Sequence, residues 1–271
     1  MKKLIPYASY IALGAGVLGA GLQWWALSAG ADEKGLYPAA HPGWIGYLLV
    51  MGAALILFFL LVRTSEQAPG TEGSACRSYS AFYHLATAIA IGAYCVPMLR
   101  SRGLELISAV IGLCATGALI LLFCQQLQKK PPFAPAHLVV CLFFAVQFFL
   151  LSKQNNTETQ LFLFLPQLFA CAAAALASYE RMGIAAGDGN PKKARFWSLA
   201  AGMLCLAATP GARLMYAAVA VSYLLEYCPS CAPIEEASEE AVEEANEDTV
   251  EEFTEVSEMA EAYDLDEDEN P

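Results

Sequence analysis

The most specific local pattern in the chain is Cys228-Pro229-Ser230-Cys231. A C-x-x-C pair can cycle between dithiol and disulfide, or supply half of a tetrahedral thiolate site for zinc. A zinc ion needs two further ligands, and Cys76 and Cys124 are the candidates. In the span order derived below, both fall at the membrane face that carries the pair. No second C-x-x-C follows at zinc-finger spacing and no alternating strand–helix pattern surrounds the motif. Reduced, inert thiols are therefore the competing reading, and no cofactor is expected.

A second group of residues is notable for its surroundings. His84 lies about two turns into an apolar run, His137 opens another run on the same side, and Glu226 sits just before the C-x-x-C. An ionisable side chain inside a bilayer costs several kcal/mol, so it pairs, faces a cavity or reaches the interface. A neutral histidine can donate to a carboxylate, which makes His84 and Glu226 a candidate proton-coupled pair. The competing reading is a histidine bonded to backbone and a glutamate reaching out to water. Gln147 and Gln23 are cheaper polar groups, suited to hydrogen bonds between helices.

Other chemistries lack their residues. H-E-x-x-H, G-x-S-x-G and paired metal-carboxylate motifs do not occur. The glycine-rich stretch Gly183–Gly189, followed by Lys192 and Lys193, does not match the phosphate loop G-x-x-x-x-G-K-[ST] in any register. It reads as a connector whose lysines can touch anionic lipid heads. The basic loops are short and membrane-proximal, which argues against a nucleic-acid partner.

These residues are positioned by apolar runs. The 271 residues are 57% hydrophobic, with a mean hydropathy of +0.45, above the 45–50% or so of soluble domains. A spanning helix needs about 20 mostly apolar residues. Candidates are Leu4–Leu27, Ile45–Val62, Ser78–Leu99, Leu104–Leu127, Ala136–Ser152 and Glu158–Tyr179, then a final stretch that Pro210-Gly211 splits into Ala194–Ala208 and Ala212–Tyr227. Proline removes a helix hydrogen bond and clashes with the preceding turn, although one long kinked helix is the rival. Met1-Lys2-Lys3 and Ala29-Gly30-Ala31 imitate a cleavable signal. The intervening run exceeds the roughly 7–15 residues of a signal core, so an uncleaved span is expected.

The expected architecture is an all-α integral membrane bundle of about eight transmembrane helices, residues 1–228, with an acidic tail over 229–271. Between Glu235 and Glu269 there are 18 acidic and no basic residues, so the body carries +6 and the tail −18. Self-repulsion leaves such a tail disordered or partly helical. The stretch Arg181–Trp197 reads as a long polar loop with four basic residues and one acid, and basic loops stay cytoplasmic. Placing it inside puts ten basic residues on the cytoplasmic side and five outside, with both termini cytoplasmic. The expected partners are the lipid bilayer of the cell membrane and a basic cytoplasmic protein bound by residues 235–271. The expected function is a non-enzymatic scaffold or regulatory protein. The alternative is a small-molecule or proton-linked transporter or channel using His84, Glu226, Gln147 and His137. A reporter fused after Pro271 is expected to read as cytoplasmic; an external reading would invert every loop.

Overall fold

In lipid, a chain segment satisfies its backbone polar groups within itself, so long apolar runs fold as helices. The computed structural model describes residues 7–29, 41–64, 77–128, 130–155, 161–209 and 214–225. Among them are eight helices and no strand. They are α1 (Ala8–Ser28), α2 (Pro42–Thr64), α3 (Arg77–Met98), α4 (Leu104–Leu127), α5 (Ala134–Asn155), α6 (Leu161–Ala186), α7 (Pro191–Ala207) and α8 (Leu214–Leu225). Five of them, α1 to α5, are long and apolar enough to cross a membrane. Large apolar side chains such as Leu49, Ile56, Ile89 and Phe149 point outward. A water-soluble surface does not carry so many, whereas lipid tails cover them.

The last three helices differ. α6 has 26 residues but includes Glu180 and Arg181, while α7 has 17 residues and α8 has 12. At about 1.5 Å per residue, α7 and α8 reach roughly 26 and 18 Å, short of a hydrocarbon core of about 30 Å. The proposed break at Pro210-Gly211 lies outside the described residues. α7 and α8 nonetheless pack on each other: a Cβ on Gly202 would come within 2.6 Å of Leu224. α7 and α8 are thus separate helices packed on each other, and the segment 210–213 that joins them lies outside the described residues.

The long loop expected over Arg181–Trp197 is mostly helix. α6 continues to Ala186 and α7 starts at Pro191, leaving four residues between them. The turn has strong local signals. Gly187 takes φ +91°, its N–H bonds the Ile184 carbonyl, and the Asp188 N–H bonds the Gly183 carbonyl. This is the paired bonding by which a left-handed glycine closes a helix C-terminus. Asn190 then caps α7, its side chain accepting from the Lys192 and Lys193 N–H groups, with Pro191 at the first helical position.

Helices α3, α4, α5, α6, α7 and α8 form a closed ring in which each packs on the next and α8 returns to α3. α1 and α2 pack on α7 from outside the ring. Small residues set the α1–α7 spacing. A Cβ on Gly16 would lie 3.0 Å from Leu206 Cβ and the Met203 carbonyl, and one on Gly19 would lie 3.1 Å from Ala207 Cβ. Gly14 and Gly21 meet nothing within 4 Å, so only one face of that glycine-rich helix is used. The chain divides into Met1–Cys231 and Ala232–Pro271. The second unit, and with it the acidic tail, lies outside the described residues.

Two glycines of α4 give a matched test. A Cβ on Gly112 would strike Cys95 Sγ and come within 2.8 Å of the Phe143 ring, whereas one on Gly117 meets nothing. Overpacking a tight core costs about 1–3 kcal/mol, and replacing an exposed helical glycine by alanine gains up to about 1 kcal/mol. Gly112→Ala is therefore expected to lower the unfolding temperature in detergent and Gly117→Ala to keep or raise it.

Candidate functional site

Three helices deliver polar, cation-forming side chains to one end of the ring: His84 from α3, His137 from α5 and Arg181 from α6. That end gathers the N-terminal halves of α3 and α5 with the C-terminal halves of α6 and α8. Arg181 is 9% exposed and His84 8%, while His137 is half-buried. Both imidazoles lie within electrostatic range of the guanidinium.

The placement of Arg181 follows from a stripe on α6. Cys171, Ala174, Ser178 and Arg181 recur at helical spacings of three and four, and so share one face. α8 presents Tyr216 and Tyr223 with the same seven-residue separation that divides Cys171 from Ser178. The two helices are joined by matching rungs. Cys171 Sγ lies 3.1 Å from Tyr216 Oη, and Ser178 Oγ lies 2.8 Å from Tyr223 Oη. The Tyr223 hydroxyl donates to the Ala174 carbonyl at 3.3 Å, so it accepts from Ser178. The Arg181 guanidinium stacks over the Tyr223 ring, with Cζ 4.1 Å from its centroid. A desolvated cation–π contact of this kind contributes about 2 kcal/mol.

Between these groups lies a cavity of about 20 Å³, bounded by His84, Thr87, His137, Ser178, Arg181 and Ser222 together with Phe144, Val219 and Tyr223. None of the described residues lining it is acidic. A cavity of this size holds about one water molecule. His84 Nδ1 is buried without a hydrogen-bond partner. The Thr87 hydroxyl donates to the Ala218 carbonyl at 3.3 Å, tying α3 to α8.

Gln147 acts elsewhere. Its Nε2 donates to Ser108 Oγ at 2.6 Å and its Oε1 accepts from Tyr94 Oη at 3.1 Å. It joins α3, α4 and α5 at the opposite end of the ring, away from the cavity. This is the inter-helix role its chemistry suggests. Gln23 is fully buried, but neither atom of its amide has a hydrogen-bond partner.

Of the four candidate zinc ligands, only Cys124 is described, and it is exposed on α4. Cys76, Cys228 and Cys231 lie outside the described residues, as does Glu226, the proposed partner of His84. Among the described residues no group of three or more potential ligands could hold a metal ion. Sequence reasoning paired His84 with Glu226, which lies outside the described residues; among the described residues the cavity sets His84 with His137 of α5, Arg181 of α6 and Ser222 and Tyr223 of α8. Sequence reasoning also missed Arg181, Ser178, Thr87, Ser222 and Tyr223. The repeated seven-residue offset, Cys171 to Ser178 and Tyr216 to Tyr223, was the available signal.

Comparison of the chain with known protein families, with curated proteins and with solved structures finds no match to any of them.

The Tyr223 contacts can be separated by substitution. Tyr223→Phe removes the hydroxyl between Ser178 and Ala174 and keeps the ring under Arg181. It is expected to cost about 1 kcal/mol, the ordinary net value of such a bond. Tyr223→Leu also removes the ring and is expected to cost about 2 kcal/mol more. Chemical unfolding in mixed micelles measures both.

Proposed function

We propose that the chain is a non-enzymatic multi-pass membrane protein of scaffold or regulatory type, whose acidic tail binds a basic cytoplasmic protein. On this reading it has eight spans, with α6, α7 and α8 crossing as members of the ring, and both termini are cytoplasmic. The observation that carries it is the small free volume at the polar end of the ring. Pockets for small molecules measure about 300–1,000 Å³, against about 20 Å³ here. A tail of 18 acids and no bases fits recruitment better than passage of a metabolite. The ten-to-five distribution of basic residues supports the orientation.

A second reading, an ion- or proton-linked transporter, is favoured by the convergence of His84, His137 and Arg181 on the cavity. The volume limits its cargo to a proton or an ion about the size of a water molecule. On that reading His84 and Glu226 remain the proposed proton pair.

The test compares the full chain with a chain ending before Glu235, both cross-linked in intact membranes. The truncated chain is expected to insert and unfold like the full one, because the tail cannot offset an ordering cost of about 1–2 kcal/mol per residue. It is also expected to lose its cytoplasmic cross-links. Equal cross-linking by both chains would refute recruitment by the tail.

A further inference from the structure

We propose that the axis of the α3–α8 ring is a proton path and that Ile91, Phe144 and Val219 form its gate, which is shut in this structure. The proposal rests on the transport reading and deepens it by naming the cargo, the path and the residues that block it.

The first observation is a pattern repeated on four helix faces. α3 carries His84, Thr87, Ile91 and Tyr94 at steps of three and four residues, so they share one face. α5 carries His137, Val140, Phe144 and Gln147 at the same steps, each 53 positions after its counterpart on α3. The Tyr94–Gln147 hydrogen bond shows that the two series meet in register. α6 and α8 repeat the arrangement at an offset of 45, with Cys171, Ala174 and Ser178 against Tyr216, Val219 and Tyr223. Each of the four faces is polar at both ends and apolar between.

The second is that these faces meet on the axis. The cavity at the histidine end is lined from α3, α4, α5, α6 and α8, five of the six ring helices. At the other end Gln147 joins α3, α4 and α5, and the Cys171–Tyr216 contact joins α6 and α8. Tyr94 lies within electrostatic range of Tyr216, which brings those two sets together across the ring.

The third is what separates the two polar layers. Ile91, Phe144 and Val219 are each 1% exposed or less, and Phe144 and Val219 also bound the cavity. From Cys171 to Ser178 the helix rises about 10 Å. A tight apolar constriction of this kind excludes water and gates by dewetting. Polar side chains inside a bundle mark proton and ion paths. Hydroxyls and imidazoles accept a proton on one side and donate one on the other. When water bridges the gate, one proton enters at one face, another leaves at the opposite face, and no side chain is changed. A cavity of about 20 Å³ holds about one water, too little for a hydrated metal ion.

The full chain is reconstituted in liposomes that enclose a pH-sensitive dye, with the membrane potential clamped by potassium and valinomycin, and proton entry is followed after an external acid step. The unaltered chain is expected to exceed protein-free liposomes. Val219→Thr keeps the shape of the side chain and adds a hydroxyl to the gate, and is expected to raise the rate several-fold. Ile91→Thr is expected to do the same and serves if Val219→Thr does not fold. Phe149→Ala removes an outward ring that is 69% exposed and is expected to change nothing. Proton entry no faster than in protein-free liposomes, for the unaltered chain and every gate variant that folds, would overturn the path and the transport reading together. Entry through the unaltered chain that is unchanged in the folded gate variants would overturn the gate and leave the transport reading standing. An equal rise in Phe149→Ala would assign the flux to leak around the protein and overturn the path. Sodium entry as fast as proton entry would overturn the assignment of the cargo.

Discussion

A guanidinium taken out of water into a helix bundle must be given compensating partners, and this requirement shapes one end of the ring. Arg181 cannot reach bulk water freely, being 9% exposed. The ring of Tyr223 lies against its face at 4.1 Å. Tyr223 is in turn held on both sides of its hydroxyl, by Ser178 at 2.8 Å and the Ala174 carbonyl at 3.3 Å. Removing one member of such a set leaves the others short of a partner in low-dielectric surroundings, where that is costly. The site is thus a chain of dependent contacts from α6 to α8, extended to α3 through Thr87 and Ala218.

The same logic operates at the other end with neutral groups. Gln147 donates to Ser108 and accepts from Tyr94, so three helices share one amide. Between the two ends the ring interior is largely apolar, with Ile91, Cys95, Phe143 and Phe144 among its buried side chains. Lipid is as apolar as leucine and does not drive helices together, so close packing and polar links supply the association. The α1–α7 contact shows the packing contribution: Gly16 and Gly19 sit where a side chain would meet α7. The links at the two ends and the small residues between them fix which helices are neighbours.

Much of the fold was legible in the sequence because span length is a one-dimensional property. Leu104–Leu127 is recovered as α4 with identical bounds, and the other apolar runs map onto helices with ends displaced by a few residues. The polar stretch Arg181–Trp197 misled because charge and glycine content were weighed above capping. Gly187 and Asn190-Pro191 are stop and start signals only four residues apart, and they leave little room for a loop. The site was less legible. His84 announced itself as an ionisable residue in an apolar run. Tyr223 and Ser178 did not, since tyrosine and serine are common in such runs and their meeting depends on the register between two helices far apart in sequence. Arg181 stood at the edge of an apolar run, where an arginine ordinarily reaches outward to the interface, and its seat on the Tyr223 ring of α8 depends on a contact between elements far apart in sequence.

The central claim is that Arg181 is a ring-interior residue seated on Tyr223. A double-mutant cycle between Arg181→Met and Tyr223→Leu, read from chemical unfolding of the full chain in mixed micelles, tests it directly. Residues in contact within one network couple by about 0.5–3 kcal/mol, and a buried cation–π pair places the expected value near 2 kcal/mol. A coupling of that size supports the account, and additive effects of the two substitutions would contradict it.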